Sequence, residues 1–190
     1  MHKPILSRYR RKADGQIIID VAAHNVKEIY NDFDRSAHFM KKDLDEDFVS
    51  YLVDCAREIG SEPFVIQISL NELPEAANKE RVKSSIANYF YYLIELERRE
   101  IKSLFRTSAI FAAIGVTIMV LLLWTDRLVV PSGRSLFGSV LSEGLTVAAW
   151  VALWEAVAVF LIRWPPGRRN IRLYKKLAAA PVSFHHIKND

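Results

Sequence analysis

Apolar and polar residues alternate with a period of two in three short stretches. "QIIIDVA" (16–22) sets Ile17, Ile19 and Val21 against Gln16, Ile18 and Asp20, and "PFVIQISL" (63–70) puts Phe64, Ile66, Ile68 and Leu70 on one face. "PVSFHHI" (181–187) offers a shorter third strand. Between the first two, "DLDEDFVSYLVDCAREIG" has helical periodicity. Asp43 and Glu46 suit a capping box, Phe48, Leu52 and Cys55 share a side, and Gly60 ends the helix. After "NELPEAANKE" a long helix is expected, its stripe formed by Val82, Ile86, Tyr89, Leu93 and Leu96, then Ile101 and Leu104. No proline or glycine interrupts residues 75–114, so from Glu75 to Trp124 it would extend about 75 Å. "GRRNIRLYKKLAAA", following a double proline, reads as an amphipathic helix with Ile171, Tyr174 and Leu177 on its apolar side.

Two further stretches follow neither amphipathic pattern. Thr107 to Trp124 is apolar throughout and without charge, and a second apolar run extends from Leu141 to Ile162. Each is long enough, as a helix, to cross about 30 Å of hydrocarbon. Trp124 and Trp164 mark ends, as indoles do at headgroup level. Arg98, Arg99, Lys102 and Arg106 precede the first run. Arg163, Arg168, Arg169, Arg172, Lys175 and Lys176 follow the second, while the intervening loop holds only Arg127 and Arg134. That asymmetry predicts both termini on the cytoplasmic side of a bacterial inner membrane.

The expected fold is an α+β membrane protein. A two-helix transmembrane hairpin is joined by the long helix to a small cytoplasmic domain of about three strands and two or three helices. The boundaries are a basic N-terminal arm (1–15), the cytoplasmic α+β domain with the long helix (16–106), transmembrane helix 1 (107–124), a short outer loop (125–140), transmembrane helix 2 (141–162), and a cytoplasmic helix with the final strand (163–190). Because that strand comes only after both crossings, the domain is expected to be coupled to the spans.

Composition narrows the chemistry. A net charge of +4 is gathered beside the apolar runs rather than spread as a nucleic-acid footprint. The single cysteine, Cys55, excludes an internal disulfide and reads as a buried thiol. The N-terminal "MHKPILSRYRRKADG" lacks the apolar core of a signal peptide. There is no "GxSxG", no "HExxH" and no cysteine pair, and "GRSLFGSV" (133–140) lacks the lysine of a phosphate loop. His24, His38, Asp32, Asp34, Asp43 and Asp45 form a loose set of metal-type donors, but turn and cap roles account for them better. His185 and His186 fall on opposite faces of a strand and make a poor chelate. No catalytic residue, cofactor or metal is expected, and the chain reads as a non-enzyme. The basic run after Trp164 suits topology determination better than lipid-headgroup binding.

Two carboxylates, Glu143 and Glu155, interrupt the second apolar run. A charge near the bilayer centre costs about 2.5–3.5 kcal/mol on insertion scales, so Glu155 should be protonated, paired or facing a wet space. At matching depth the first run offers Gly115, which would let the backbones approach, and the Thr117 hydroxyl as donor to Glu155. Glu143 lies near the outer boundary, within reach of Arg127 or Arg134, and shares a helix face with Trp150, Trp154 and Leu161. Two helices enclose no aqueous path, so conduction would require several copies.

At "LSEGLTVAAWVALW" and "EIYNDFDRSAHFMKKDLDEDFVSYLVDCARE" the chain resembles a family of uncharacterised bacterial two-span inner-membrane proteins with a cytoplasmic α+β domain, over most of residues 16–184. Family members show a "DPSPF…RDLD" stretch, a "RE-(G/S)-L" start to the second span, and "WVA-x-W" followed by "RPLE". Glu143, Gly144, Leu145, Trp150, Val151, Ala152 and Trp154 fit that pattern. Glu155, Ala156 and Ala158 stand where it has Arg, Pro and Glu, so the family's intramembrane acid–base pair is replaced by an acid without an evident base. The resemblance implies bilayer residence and brings no activity with it.

The leading functional expectation is a homo-oligomer in the inner membrane. Its interface candidates are Glu143, Glu155, Thr117, Gly115, Trp150 and Trp154, with the acids lining an ion or proton path or fastening subunits. The alternative is a membrane-anchored sensor or interaction module acting through the cytoplasmic domain. Expected partners are the bilayer, further copies of the chain and a cytoplasmic protein, with no nucleic acid.

Overall fold

A computed structural model describes residues 4–31, 43–128 and 136–187. The chain is a mostly helical α+β protein with one three-stranded sheet and two long apolar helices. In order, the main elements are β1 (Ile17–Ala23), α1 (Glu46–Ile59), β2 (Phe64–Leu70), α2 (Ala76–Leu128), α3 (Leu136–Ala158), α4 (Trp164–Ala178) and β3 (Val182–His186). Short 3-10 turns cover Pro4–Arg8 and Val26–Ile29, and a π-helical turn over Val159–Arg163 links α3 to α4. Two compact units result: residues 1–95 with 170–190, and residues 96–169.

In the first unit the strand order is β1-β2-β3 and both pairings are parallel. Parallel neighbours need a crossover, which α1 supplies between β1 and β2. Ile17 aligns with Phe64 through to Ala23 with Leu70, and Ile66 aligns with Val182 through to Leu70 with His186. β2 is central, and its apolar residues are buried on both faces. Of the predicted inward set, Ile17, Ile19, Phe64, Ile66, Ile68 and Leu70 lie in the core with Leu52, Ile59, Val82, Ile86, Phe90 and Leu177, and Val21 is half-buried against it. Cys55 is buried there as a free thiol.

Three details differ from the sequence reading. The cap of α1 is Asp45, whose side chain accepts from Phe48 N at 3.0 Å, rather than Asp43. The stretch around Asp43 is held extended, with Tyr30 bridged to Leu44 and Asp43 O accepting from Asn31 N, so helix begins only at Glu46. Gly60 does end it, at φ 72°, where a side chain would be strained. On α2 the buried stripe in this unit is Val82, Ile86, Phe90 and Ile94. Tyr89 and Leu93 only flank the core, and Leu96 is exposed. Within the basic N-terminal arm Leu6 is buried, and Arg11 bridges antiparallel to Ile17. The double proline lies inside the first turn of α4, which continues from the π turn, rather than before the helix.

The C-terminal segment closes this core. Leu177 is 1% exposed, Phe90 and Tyr174 have ring centroids 6.2 Å apart, and Val182 and Phe184 pack on the same cluster. Lys176 Nζ donates to Gly60 O at 2.7 Å and to Glu62 O at 2.9 Å, fastening α4 to the turn before β2. Burial lowers the Lys176 pKa.

The second unit contains the apolar parts of α2 and α3, the π turn and the start of α4. Its contacts run in opposite directions along the chain. Ile101 meets Gly167, Phe105 meets Phe160 and Trp164, and Gly115 meets Ala149, Ala152 and Leu153. The helices are therefore antiparallel here. Both apolar helices are longer than the runs read from sequence: α2 continues to Leu128 and α3 starts at Leu136, inside the expected outer loop. Residues 129–135, and with them Gly133 and Arg134, lie outside the described residues.

Candidate functional site

Small residues set the helix–helix contact of the second unit. Gly115 on α2 faces Ala149, Ala152 and Leu153 on α3, and Ser108, two turns earlier on α2, is buried. A Cβ on Gly115 would come 2.9 Å from Ala149 O, a backbone atom that cannot easily yield. Gly115 thus does allow the close approach expected of it. Ser108 and Thr146 return their hydroxyls to their own helices, at Leu104 O and Ser142 O, so neither leaves an unmet donor in an apolar contact.

Thr117 takes no part in that contact. It is exposed, and its hydroxyl donates to Ala113 O at 2.7 Å, one turn back on α2, so it is not the donor to Glu155. Glu155 is held by Arg163, with Nη2 3.2 Å from Oε1. The acid therefore has a base after all, supplied by its own helix rather than by the first apolar helix.

That pair spans eight residues, a separation that a regular helix does not serve. At 3.6 residues per turn, positions eight apart are about 80° out of line. The π turn over Val159–Arg163 turns less per residue and removes much of the offset. Its cause is in the sequence. Pro165 and Pro166 supply no N–H, and their rings press on the carbonyls four residues earlier, Leu161 and Ile162. Widening the helix relieves both, and Trp164 N accordingly bonds to Val159 O, five residues back. Arg163 was legible as a flanking positive charge but not as the partner of Glu155. The signal that could have exposed it is the Pro-Pro pair just beyond it.

Glu143, Trp150, Trp154 and Leu161 are all exposed, the tryptophans at 62% and 67%. They share one outward face, and Glu155, half-buried, does not belong to it. The antiparallel register puts Glu143 level with Trp124. Of its suggested partners, Arg134 and the side chain of Arg127 lie outside the described residues.

A groove of about 370 Å³ opens beside the ion pair. Glu97, Glu100 and Arg163 line it with Ile101, Leu104 and Ile162. Gly167 forms part of its floor: a Cβ there would come 2.8 Å from Ile101 Cδ1 and 3.0 Å from Glu97 Oε1.

The first unit has its own groove, about 410 Å³, along the second half of β1 beneath Phe48 and Tyr51 of α1. Arg10 holds Asp20 through two hydrogen bonds of 2.7 and 3.1 Å, Gln67 adds a third at 3.1 Å, and the Tyr51 hydroxyl donates to Asp20 O. Burial raises the Tyr51 pKa, with smaller contributions from Cys55 and Asp20. His24 Nδ1 lies 3.2 Å from Asn71 Nδ2, and Asp45 is used as a helix cap. Asp32, Asp34 and His38 fall outside the described residues, and among those described no three side chains are grouped to hold a metal. His185 and His186 are both exposed on β3. Comparison with protein-family models, curated proteins and solved structures finds no match for this chain.

Proposed function

We propose that the chain is a two-span protein of the bacterial inner membrane whose antiparallel apolar helices anchor a cytoplasmic α+β domain, and that this domain acts as a protein-interaction module rather than an enzyme. One observation carries the anchoring. In the most apolar stretch of each long helix only 11% of residues are buried. Core helices of soluble proteins are covered; here Leu123, Leu136, Val151 and Ile162 all point outward. A continuous apolar surface of that extent needs a non-aqueous surrounding. Both ends of the apolar unit rejoin the same domain, so two crossings leave that domain on one side. The positive flanks favour the cytoplasmic side.

The pairing of Glu155 with Arg163 bears on the choice between anchor and conductor. A carboxylate neutralised by an arginine offers a cation little, and Glu143 stands level with the headgroup-type Trp124. The domain groove at β1, with Tyr51 exposed at its rim, offers a surface for a cytoplasmic partner. A photo-crosslinker in place of Tyr51 in cells should capture one discrete protein. Capture of none, with the chain extractable by alkaline carbonate, would remove both halves of the proposal.

A second reading, self-association through Glu143, Trp150, Trp154 and Leu161, is favoured by the exposure of that aromatic face. The particle mass in lipid nanodiscs decides it: a monomer ends this reading and leaves the first intact.

A further inference from the structure

The groove between α2 and the start of α4 has an ordered chemistry that neither anchoring nor partner binding requires. Following the antiparallel register from the aqueous end, Glu97 and Glu100 come first, with the Glu97 carboxylate against Gly167. Arg163 comes next, one turn further in and level with Leu104 and Phe105. The apolar wall of Ile101, Leu104 and Ile162 leads on towards the apolar run that starts at Thr107. Acid, base, hydrocarbon is the complement of ammonium, phosphate, acyl chain. We propose that this groove binds a glycerophospholipid with a primary-amine headgroup. The inference rests on the membrane reading above and adds a ligand class to it.

The separations suit such a headgroup. Arg163 and Gly167 are four residues apart, about 6 Å along the axis, a gap that a phosphate and an ammonium joined by two carbons can bridge. Arg163 spends one nitrogen on Glu155, and its remaining N–H groups can reach a phosphate oxygen. Glu155 is thus a positioning residue, drawing the guanidinium inward to where a phosphate would lie. Among the described residues neither Glu97 nor Glu100 is in an ion pair, so both can accept from an ammonium. Gly167 keeps the floor low, because any side chain would displace Ile101 and the Glu97 carboxylate. The primary amine is the discriminating feature: a trimethylated nitrogen has no N–H to offer these carboxylates, and a glycerol headgroup has no positive charge.

The test uses the full chain in mild detergent, titrated with phosphatidylethanolamine, phosphatidylcholine or phosphatidylglycerol of identical acyl chains, with retained lipid counted by native mass spectrometry. Phosphatidylethanolamine should be retained about three- to fivefold better than the other two, the advantage of a partly exposed ion pair. Glu97→Gln combined with Glu100→Gln should bring it down to the phosphatidylcholine level. Equal retention of all three lipids overturns the site, as does a preference for phosphatidylglycerol, which would assign binding to the basic flanks alone. A preference unchanged by the double substitution overturns it too. Flotation of the full chain with vesicles separates the two claims. A chain that does not float removes the membrane reading and this site together, whereas a floating chain without headgroup preference removes only the site.

Discussion

The two units of this protein obey opposite rules with the same residue types. In the first, isoleucine, leucine and phenylalanine point inward, with Tyr30 among them, and arginines, lysines and acids make the surface. In the second, alanine, glycine and serine sit at the contact between helices while leucine, valine and tryptophan point outward. Where water surrounds a fold, apolar burial drives it and large side chains belong inside. Where the surroundings are as apolar as leucine, burial gains nothing, and close backbone approach through small residues decides the packing. Burial, as much as hydropathy, therefore separates an exposed apolar helix pair from a core.

The largest effect that should separate the units is alkaline pH. All seven tyrosines lie in the first unit and none in the second. Burial raises the pKa of Tyr9, Tyr30, Tyr51 and Tyr89, and the Tyr9 hydroxyl also donates to Glu58 at 2.7 Å. Above the ordinary tyrosine value of about 10, the unfolded chain gives up these protons while the folded chain keeps them. The folded state then binds more protons than the unfolded, so stability falls as pH rises. Lys176 works the other way. Its lowered pKa means the unfolded chain holds the extra proton just below the ordinary lysine value, so there its contribution rises with pH. Four tyrosines should outweigh one lysine. Titrated past pH 10, the first unit should unfold with the appearance of tyrosinate absorbance while the helical signal of the second persists. Loss of both signals together would break the comparison.

Next in size is a pair of identical substitutions. Leu177→Ala empties a position that is 1% exposed and should destabilise the first unit by about 2–5 kcal/mol. Leu123→Ala removes the same atoms from a position that is 61% exposed and should leave detergent stability nearly unchanged. Urea denaturation of both variants in one detergent makes the measurement. Equal losses would mean that Leu123 is covered in the particle, and the case for self-association would strengthen.

Much of this division was legible in the sequence. The three strands, the helix between the first two, the unbroken α2 and the return of Tyr174 and Leu177 to the core follow from periodicity and from glycine and proline positions. What stayed hidden is what periodicity does not encode. "NYFYYLIEL" offers apolar or aromatic residues at almost every step, so the pattern does not tell that Phe90 and Ile94 are buried while Tyr89 and Leu93 only flank the core and Leu96 is exposed. Asp43, Asp45 and Asp47 all resemble caps, and only the Tyr30–Leu44 bridge selects Asp45. Regular helix geometry brings no i,i+8 pair into line, so the pattern points to equal depth on the neighbouring helix for the partner of Glu155. Two prolines changed that geometry.

The smallest effect tests whether that change matters. Both members of the Glu155–Arg163 pair are about half exposed, and an exposed ion pair in water contributes only about 0.2–1 kcal/mol. In a bilayer the alternative to pairing is a lone charge near hydrocarbon, which raises the cost of losing either partner without raising the value of the pair in solution. The same double-mutant cycle, Glu155→Gln with Arg163→Gln, should therefore give a coupling near zero in detergent and about 1 kcal/mol or more in nanodiscs, read as the shift in helix unfolding. The cycle isolates the pairwise interaction by subtracting what each substitution does alone, including the shortening of Arg163. Replacing Pro165 and Pro166 by alanine should abolish the coupling in both settings, since a regular helix would carry Arg163 round to another face. A coupling that survives proline removal would show that the side chains find each other without the π turn, and that the widened turn answers only to the prolines' missing donors.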